Sequence, residues 1–155
     1  MCKDDITKDS RLFIQRTLQA LEQYKKNLPP KEQSYDRTLF INACIGLLMI
    51  PLADFYENLS LESIETWGIS ANKFQMKDKQ TIRDVVRHLR NAIAHNRFNF
   101  DSGDEHSSVV LDNITFTDVS KVKKVEEVEN FRATLDFETF KTLVEKVAQA
   151  ALQDK

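Results

Sequence analysis

Polar side chains recur at helical spacing on one short stretch of this chain: Asp84, His88, Asn91 and His95. At about 100° per residue, these four positions form a single stripe along a helix. A row of arginines accompanies the stripe: Arg83, Arg87, Arg90 and, near its end, Arg97. An ordinary surface helix carries lysine and glutamate opposite its core face. The combination of imidazole, amide, carboxylate and guanidinium found here therefore indicates chemistry or recognition on an exposed face.

These are the groups that RNA cleavage without a metal ion requires. A base removes the proton of the ribose 2′-hydroxyl, and an acid protonates the leaving 5′-oxygen. A fixed cation offsets the charge that develops on the phosphate oxygens. We predict that His95 is the base or the acid, that Arg90 is the cation, and that Asn91 orients the His95 ring or holds the substrate.

The remaining polar residues of the stretch are predicted to support the site or to contact RNA: Asp84, Arg87, His88 and Arg97. Asp84 and His88 are four positions apart, which also suits a metal ion, but no third ligand apart from His95 has suitable spacing. We therefore predict neither a metal nor a cofactor. His106 lies in a polar segment and is given no catalytic role.

One chain supplies one such set of groups, whereas in-line displacement requires the acid and the base on opposite sides of the phosphorus. A twofold partner would bring a second set, because an isologous dimer repeats one patch on both sides of its axis. The sequence therefore predicts a homodimer.

The apolar pattern predicts the elements that position the stripe. Long helices are expected at 5–27, 36–50, 79–97 and 138–152, and a short one is expected at 61–67, closed by Gly68. Pro29-Pro30 should stop the first helix, and residues 31–35 are predicted to form a loop. The second helix is expected to continue past Pro51 through Phe55 and Leu59.

Alternating residues at 114–117 and 131–137 predict two strands, joined by a solvated charged connection at 121–130. In the 79–97 helix a core-facing sector is predicted from Ile82, Val85, Val86, Leu89 and Ile93.

Bulk properties limit the class of protein. The 155 residues are read as a single domain, 1–155. A net charge of −2 argues against a global basic field, so any RNA contact must come from a local cluster of basic residues.

The longest apolar run, 39–52, is too short to span a bilayer, and the charged N-terminus lacks the apolar core of a signal peptide. With two cysteines and no CxxC pair, a cytoplasmic protein without a membrane partner is expected.

Residues 88–98, HLRNAIAHNRF, resemble the signature helix of the HEPN superfamily. Its motif is an arginine, four to six residues and then a histidine, often with asparagine directly after the arginine. The resemblance is specific over 84–98 and extends in outline over 5–152. It implies a helical bundle, homodimerisation and a composite site built from Arg90, Asn91 and His95 of two chains. Asp84 matches an acidic position found in some members.

One departure from the family pattern concerns partners. HEPN toxins paired with nucleotidyltransferase antitoxins commonly carry tyrosine two residues after the histidine, where this chain has Arg97. This departure argues against an antitoxin that modifies that tyrosine, while an antitoxin or nucleotidyltransferase partner of another kind is kept as an alternative.

Taken together, the sequence predicts a mainly α protein, a HEPN-like bundle of four to five helices with a small antiparallel β-hairpin near the C-terminus. The predicted function is a metal-independent endoribonuclease of the toxin or phage-defence type. The alternative is a catalytically silent HEPN module that binds a nucleotide, RNA or a protein partner.

Overall fold

The computed structural model describes residues 3–27, 33–49, 58–102, 111–122 and 126–153. These ranges contain four α-helices: α1 (Lys3–Asn27), α2 (Gln33–Met49), α3 (Ile82–Ala94) and α4 (Phe137–Gln153). They also contain four strands: β1 (Phe74–Met76), β2 (Phe98–Ser102), β3 (Leu111–Val122) and β4 (Glu126–Asp136). None of the helices placed in these ranges carries an apolar stretch that would reach across a bilayer.

The strands form one antiparallel sheet in the order β1-β4-β3-β2. Successive side chains of a strand point to opposite faces, and one face of this sheet is buried by Ile114, Phe116, Phe131, Ala133 and Leu135. Helices α3 and α4 pack on the sheet. The other face is polar: the hydroxyls of Thr115 and Thr134 lie 3.1 Å apart there.

The predicted helical bundle with a small hairpin is wrong, because the described residues hold a four-stranded sheet with two long strands. The charged stretch 121–130 caused the error. Its mixed charges predict a solvated connection, but most of it is paired strand, with Lys121 opposite Glu127 and Val122 opposite Glu126. Charges are compatible with strand where a sheet has one solvated face. The three-residue β1 is too short to show a period, and β2 was not predicted as an element.

The helices follow the predictions more closely. Helices α1 and α4 lie where expected, and the predicted short helix is a 3-10 helix at Ile64–Trp67. It is closed by Gly68 at φ 75°, a left-handed conformation that glycine adopts without steric cost. Helix α2 begins at Gln33, inside the predicted 31–35 loop. The Pro29-Pro30 stop and the passage of α2 through Phe55 fall outside the described residues, and buried Leu59 is not in an α-helix.

The core face of α3 is confirmed. Ile82, Val85, Val86 and Leu89 are each 0% exposed, and Ile93 is half-buried against the same core. Helix α4 adds a second apolar face, and its Phe140 ring lies 5.3 Å from that of Phe116. The buried face of α3 therefore fixes its rotation relative to the sheet.

Candidate active site

The motif helix begins at a side-chain cap that involves Asp84. The Thr81 hydroxyl accepts the Asp84 N–H at 3.2 Å and donates to the Asp84 carboxylate at 2.9 Å. This arrangement satisfies one of the free N–H groups of the first turn. At 1.5 Å per residue, Asp84 lies about 16 Å along the helix from His95. Asp84 therefore stabilises the start of α3 and lies far from the histidine of the motif.

The motif helix ends in a Schellman turn. His95 is its C-cap, and Asn96 follows in the left-handed region with φ 55°. The Asn96 N–H donates to the carbonyl of Ile93 at 3.0 Å, and the Arg97 N–H donates to that of Ala92 at 2.7 Å. These two bonds define the turn. The His95 backbone is therefore held by hydrogen bonds, while its side chain is exposed.

His88 is buried, which contradicts the exposed face predicted for the stripe. The residue is 3% exposed, and its ring stacks on Phe131 with 4.8 Å between ring centroids. Its Nδ1 lies 2.8 Å from Asp118 Oδ2, and its Nε2 lies 3.2 Å from Asp78 Oδ2. Both ring nitrogens therefore have a carboxylate oxygen within hydrogen-bond distance. His88 is thus an interior link between helix and sheet, and its ring is not available to substrate.

Asp118, on β3, brings three predicted residues together. Its Oδ2 accepts from His88 and, at 3.2 Å, from Asn91 Nδ2. Arg97 Nη1 lies 4.0 Å from its other oxygen. Asp118 is only 4% exposed. The polar side of α3 therefore packs on the sheet around a buried carboxylate that connects His88, Asn91 and Arg97.

The arginines of the motif region differ in their partners. Arg87 pairs with Asp78 at 2.8 Å and with Asp84 at 3.4 Å, and Arg97 lies 3.5 Å from Glu127. No carboxylate of the described residues pairs with half-buried Arg90. Since an arginine already held by carboxylates is less available to phosphate, Arg90 is the better placed of the three to bind an anion.

Asp78 and Asp118 are the polar partners that sequence reasoning missed. Asp118 had a readable signal, because it continues the inward alternation of Ile114 and Phe116 and so places a carboxylate at a core position. Asp78 precedes α3 in an irregular segment, and its contact with His88 depends on the fold. Among the described residues, no three His, Cys, Asp or Glu side chains are grouped so as to hold a metal ion.

Comparison with known proteins gives a family assignment. Residues 5–155 match the family model described as HEPN pEK499 p136. No curated protein and no solved structure gives a significant match. The matched region includes the whole of α3 with its Arg90-Asn91-x-x-x-His95 motif and the sheet that packs on it. The chain therefore belongs to the HEPN pEK499 p136 family.

Proposed function

We propose that this HEPN protein is a metal-independent endoribonuclease, with Arg90, Asn91 and His95 at its catalytic centre. The observation that carries the proposal is a contrast among the polar residues of α3 and the turn that follows it. His95 is exposed and Arg90 lacks a described carboxylate partner, whereas His88, Arg87 and Arg97 are held by acidic residues. The groups left available to substrate are an imidazole and a guanidinium.

The reaction is an internal displacement at phosphorus. A neutral imidazole takes the proton of the 2′-hydroxyl, the 2′-oxygen bonds to phosphorus, and the bond from phosphorus to the 5′-oxygen breaks. A protonated imidazole supplies the proton of that leaving oxygen, so the products are a 2′,3′-cyclic phosphate and a free 5′-hydroxyl. Arg90 would offset the charge on the non-bridging oxygens. No water and no metal enters this balance.

The need for two imidazoles supports a homodimer. His95 and His88 are the histidines in the described ranges, and His88 is buried between two carboxylates, so one chain offers one exposed imidazole there. His106 lies outside the described residues. HEPN domains commonly dimerise and bind RNA. A partner's His95 would provide the second proton-transfer group across a twofold axis.

A binding module without catalysis is the second candidate. It is favoured by the internal role of much of the polar stripe, since Asp84, His88 and Asn91 are all engaged by other side chains of the chain. Removal of His95 separates the two functions, because a binding module keeps much of its RNA affinity whereas an enzyme loses turnover.

Arg90→Ala tests the proposed role of the cation. Single-stranded RNA is incubated with the protein in EDTA, and the 3′ ends are examined for cyclic phosphate. Wild type should cleave, and Arg90→Ala should cleave about a hundredfold more slowly, since it loses the stabilisation of the phosphate charge. Arg132→Ala is the matched control, because Arg132 pairs with Glu129 on β4 and should not affect the rate. Equal rates for Arg90→Ala and wild type would remove Arg90 from the site.

A further inference from the structure

A buried carboxylate lies beside the motif at a core-facing position of β3. Asp118 follows Ile114 and Phe116 on the inner face of the sheet, and all three are nearly inaccessible. Burying an ionised carboxylate is costly unless its oxygens are hydrogen-bonded. The Asp118 carboxylate therefore needs several hydrogen-bond donors around it. The side chains that supply these donors are held in fixed orientations by the same bonds.

Donors surround both oxygens of Asp118. Oδ2 accepts from His88 Nδ1 at 2.8 Å and from Asn91 Nδ2 at 3.2 Å, and Oδ1 accepts the Val119 N–H at 3.0 Å. The pairing of β3 with β4 shifts in register between Asp118 and Val119. A bulge of this kind redirects a side chain locally. The carboxylate is thus satisfied by one strand N–H and by two side chains of α3.

The contact determines which way the Asn91 amide faces. An ionised carboxylate has no proton to donate, so the group that Asn91 turns toward Asp118 must be its NH2. The amide oxygen is then directed away from Asp118, and no described residue donates to it. The Asn91 amide oxygen therefore remains an acceptor that no hydrogen bond of the described residues uses.

Asp118 contacts His88, and the His88 ring is in turn held by further contacts. His88 is held between Asp118 and Asp78 and stacks on Phe131, so its ring cannot turn without breaking these contacts. Arg87 Nη2 also contacts Asp78, at 2.8 Å. The order Asp78, His88, Asp118 and Asn91 forms a continuous hydrogen-bonded row from the segment after β1 to the motif.

We propose that Asp118 is a positioning residue for the ribonuclease reaction, which fixes the Asn91 amide with its oxygen presented as an acceptor. This inference rests on the proposed function and adds a residue outside the motif helix. Asp118 is buried and does not touch substrate. Its removal should lower kcat rather than raise KM, because the Arg90 contact with phosphate remains and only the geometry of the reacting groups deteriorates.

The first test is Asp118→Asn, with Glu129→Gln as a matched control that changes an exposed carboxylate of β4. In the variant one carboxylate oxygen becomes an NH2 group, so either the Val119 N–H or the His88 and Asn91 donors lose their acceptor. We expect kcat to fall about tenfold or more with KM changed by less than about threefold. The ¹⁵N-detected side-chain amide resonances of Asn91 should shift in Asp118→Asn and stay unchanged in Glu129→Gln.

A second test probes the same contact from the side of Asn91. Asn91→Asp keeps an outward acceptor oxygen but sets two carboxylates against each other, and it should also lose about tenfold in kcat. In the double variant with Asp118→Asn, the amide NH2 at position 118 can donate to the carboxylate at position 91. The pair then again has one donor and one acceptor, with their roles exchanged. The double variant should recover most of the kcat lost by Asn91→Asp, which a purely local effect of charge at position 91 would not allow.

The outcomes separate this inference from the proposed function. Unchanged kcat in Asp118→Asn, or no recovery in the double variant, overturns the positioning role. Unchanged Asn91 amide resonances in a folded Asp118→Asn protein overturn it as well. If wild type cleaves no RNA, the ribonuclease proposal fails and the catalytic role of Asp118 fails with it. Shifted amide resonances would then show only that Asp118 orients Asn91.

Discussion

His88 and His95 have opposite environments although they lie on the same face of one helix. His88 is 3% exposed and contacts two carboxylates, whereas His95 is exposed at the helix C-cap. The sheet causes this difference, because Asp118 of β3 and Phe131 of β4 contact His88 in the middle of α3, whereas His95 lies just past the last residue of the helix. One imidazole is therefore suited to holding the fold and the other to proton transfer.

Substitution of these two histidines should change the free energy of unfolding by very different amounts. His88→Ala leaves buried Asp118 without its shortest hydrogen bond, and breaking a buried pair of this kind should lower the free energy of unfolding by about 3 kcal/mol. His95→Ala, at an exposed position, should change it by less than about 0.5 kcal/mol. Urea denaturation followed by circular dichroism measures both. Equal losses in the two variants would contradict the interior role of His88.

At the level of the helix, both ends of α3 are determined by hydrogen bonds. Thr81 and Asp84 satisfy the start, and the Schellman turn at Asn96 satisfies the end. The turn directs the chain from α3 into β2, whose first residue pairs with Phe116. The His95 side chain therefore stays at the boundary between helix and strand.

The left-handed conformation of Asn96 gives a prediction about this turn. Asn96→Ala keeps the Cβ but loses the polar side chain that lets asparagine tolerate this region, and it should destabilise the protein by about 1 kcal/mol. Asn96→Gly removes the Cβ and its steric cost and should be neutral or slightly stabilising. Thermal unfolding of the two variants is the measurement. A Gly variant less stable than the Ala variant would contradict the turn described here.

Helix α4 begins at an acidic cap, which predicts a pH dependence of stability. Partial burial raises the pKa of Asp136, but hydrogen bonds from the Thr139 hydroxyl and N–H and the Lys73 ammonium outweigh it and lower this pKa to about 2. The value is below the ordinary 3.8, so the stabilisation is fully present above about pH 4 and is lost as the pH falls toward 2.

Asp136→Asn isolates that titration, because asparagine is also a good N-cap. Wild type should be the more stable protein at neutral pH, and the difference in free energy of unfolding should shrink between about pH 4 and pH 2. Denaturation curves at several pH values measure this. A difference that does not change with pH would show that the ionised Asp136 carboxylate is not stabilised by folding.

The sequence predicted the α3 core face and the family, but it could not place the polar stripe. Helical periodicity shows which side chains share a face, and Ile82, Val85, Val86 and Leu89 lie where it put them. It does not show what covers the opposite face. His88 became an interior residue because Asp118 and Phe131, on strands far along the chain, pack against it. The orientation of Asn91 depends on the same long-range pairing.

At the scale of the whole molecule, the number of imidazoles available for proton transfer decides whether one chain could carry out the proposed reaction. Among the described residues, one chain exposes His95 and buries His88, so the proposed reaction is expected to take its second imidazole from another chain. We predict a dimer at micromolar concentration, measured by light scattering coupled to size exclusion. A monomer that still cleaves RNA would contradict the composite site, and the second proton-transfer group would then have to come from the same chain.

The central claim is tested most directly by the cleavage of varied single-stranded RNAs in EDTA by purified wild type and His95→Ala, with RNA binding measured in parallel. Wild type should produce 2′,3′-cyclic phosphate ends. His95→Ala should remain folded and bind RNA but cleave at least about a hundredfold more slowly, because it has lost the general acid and base. Undiminished cleavage by His95→Ala, or no cleavage by wild type on any of the RNAs, would contradict the account.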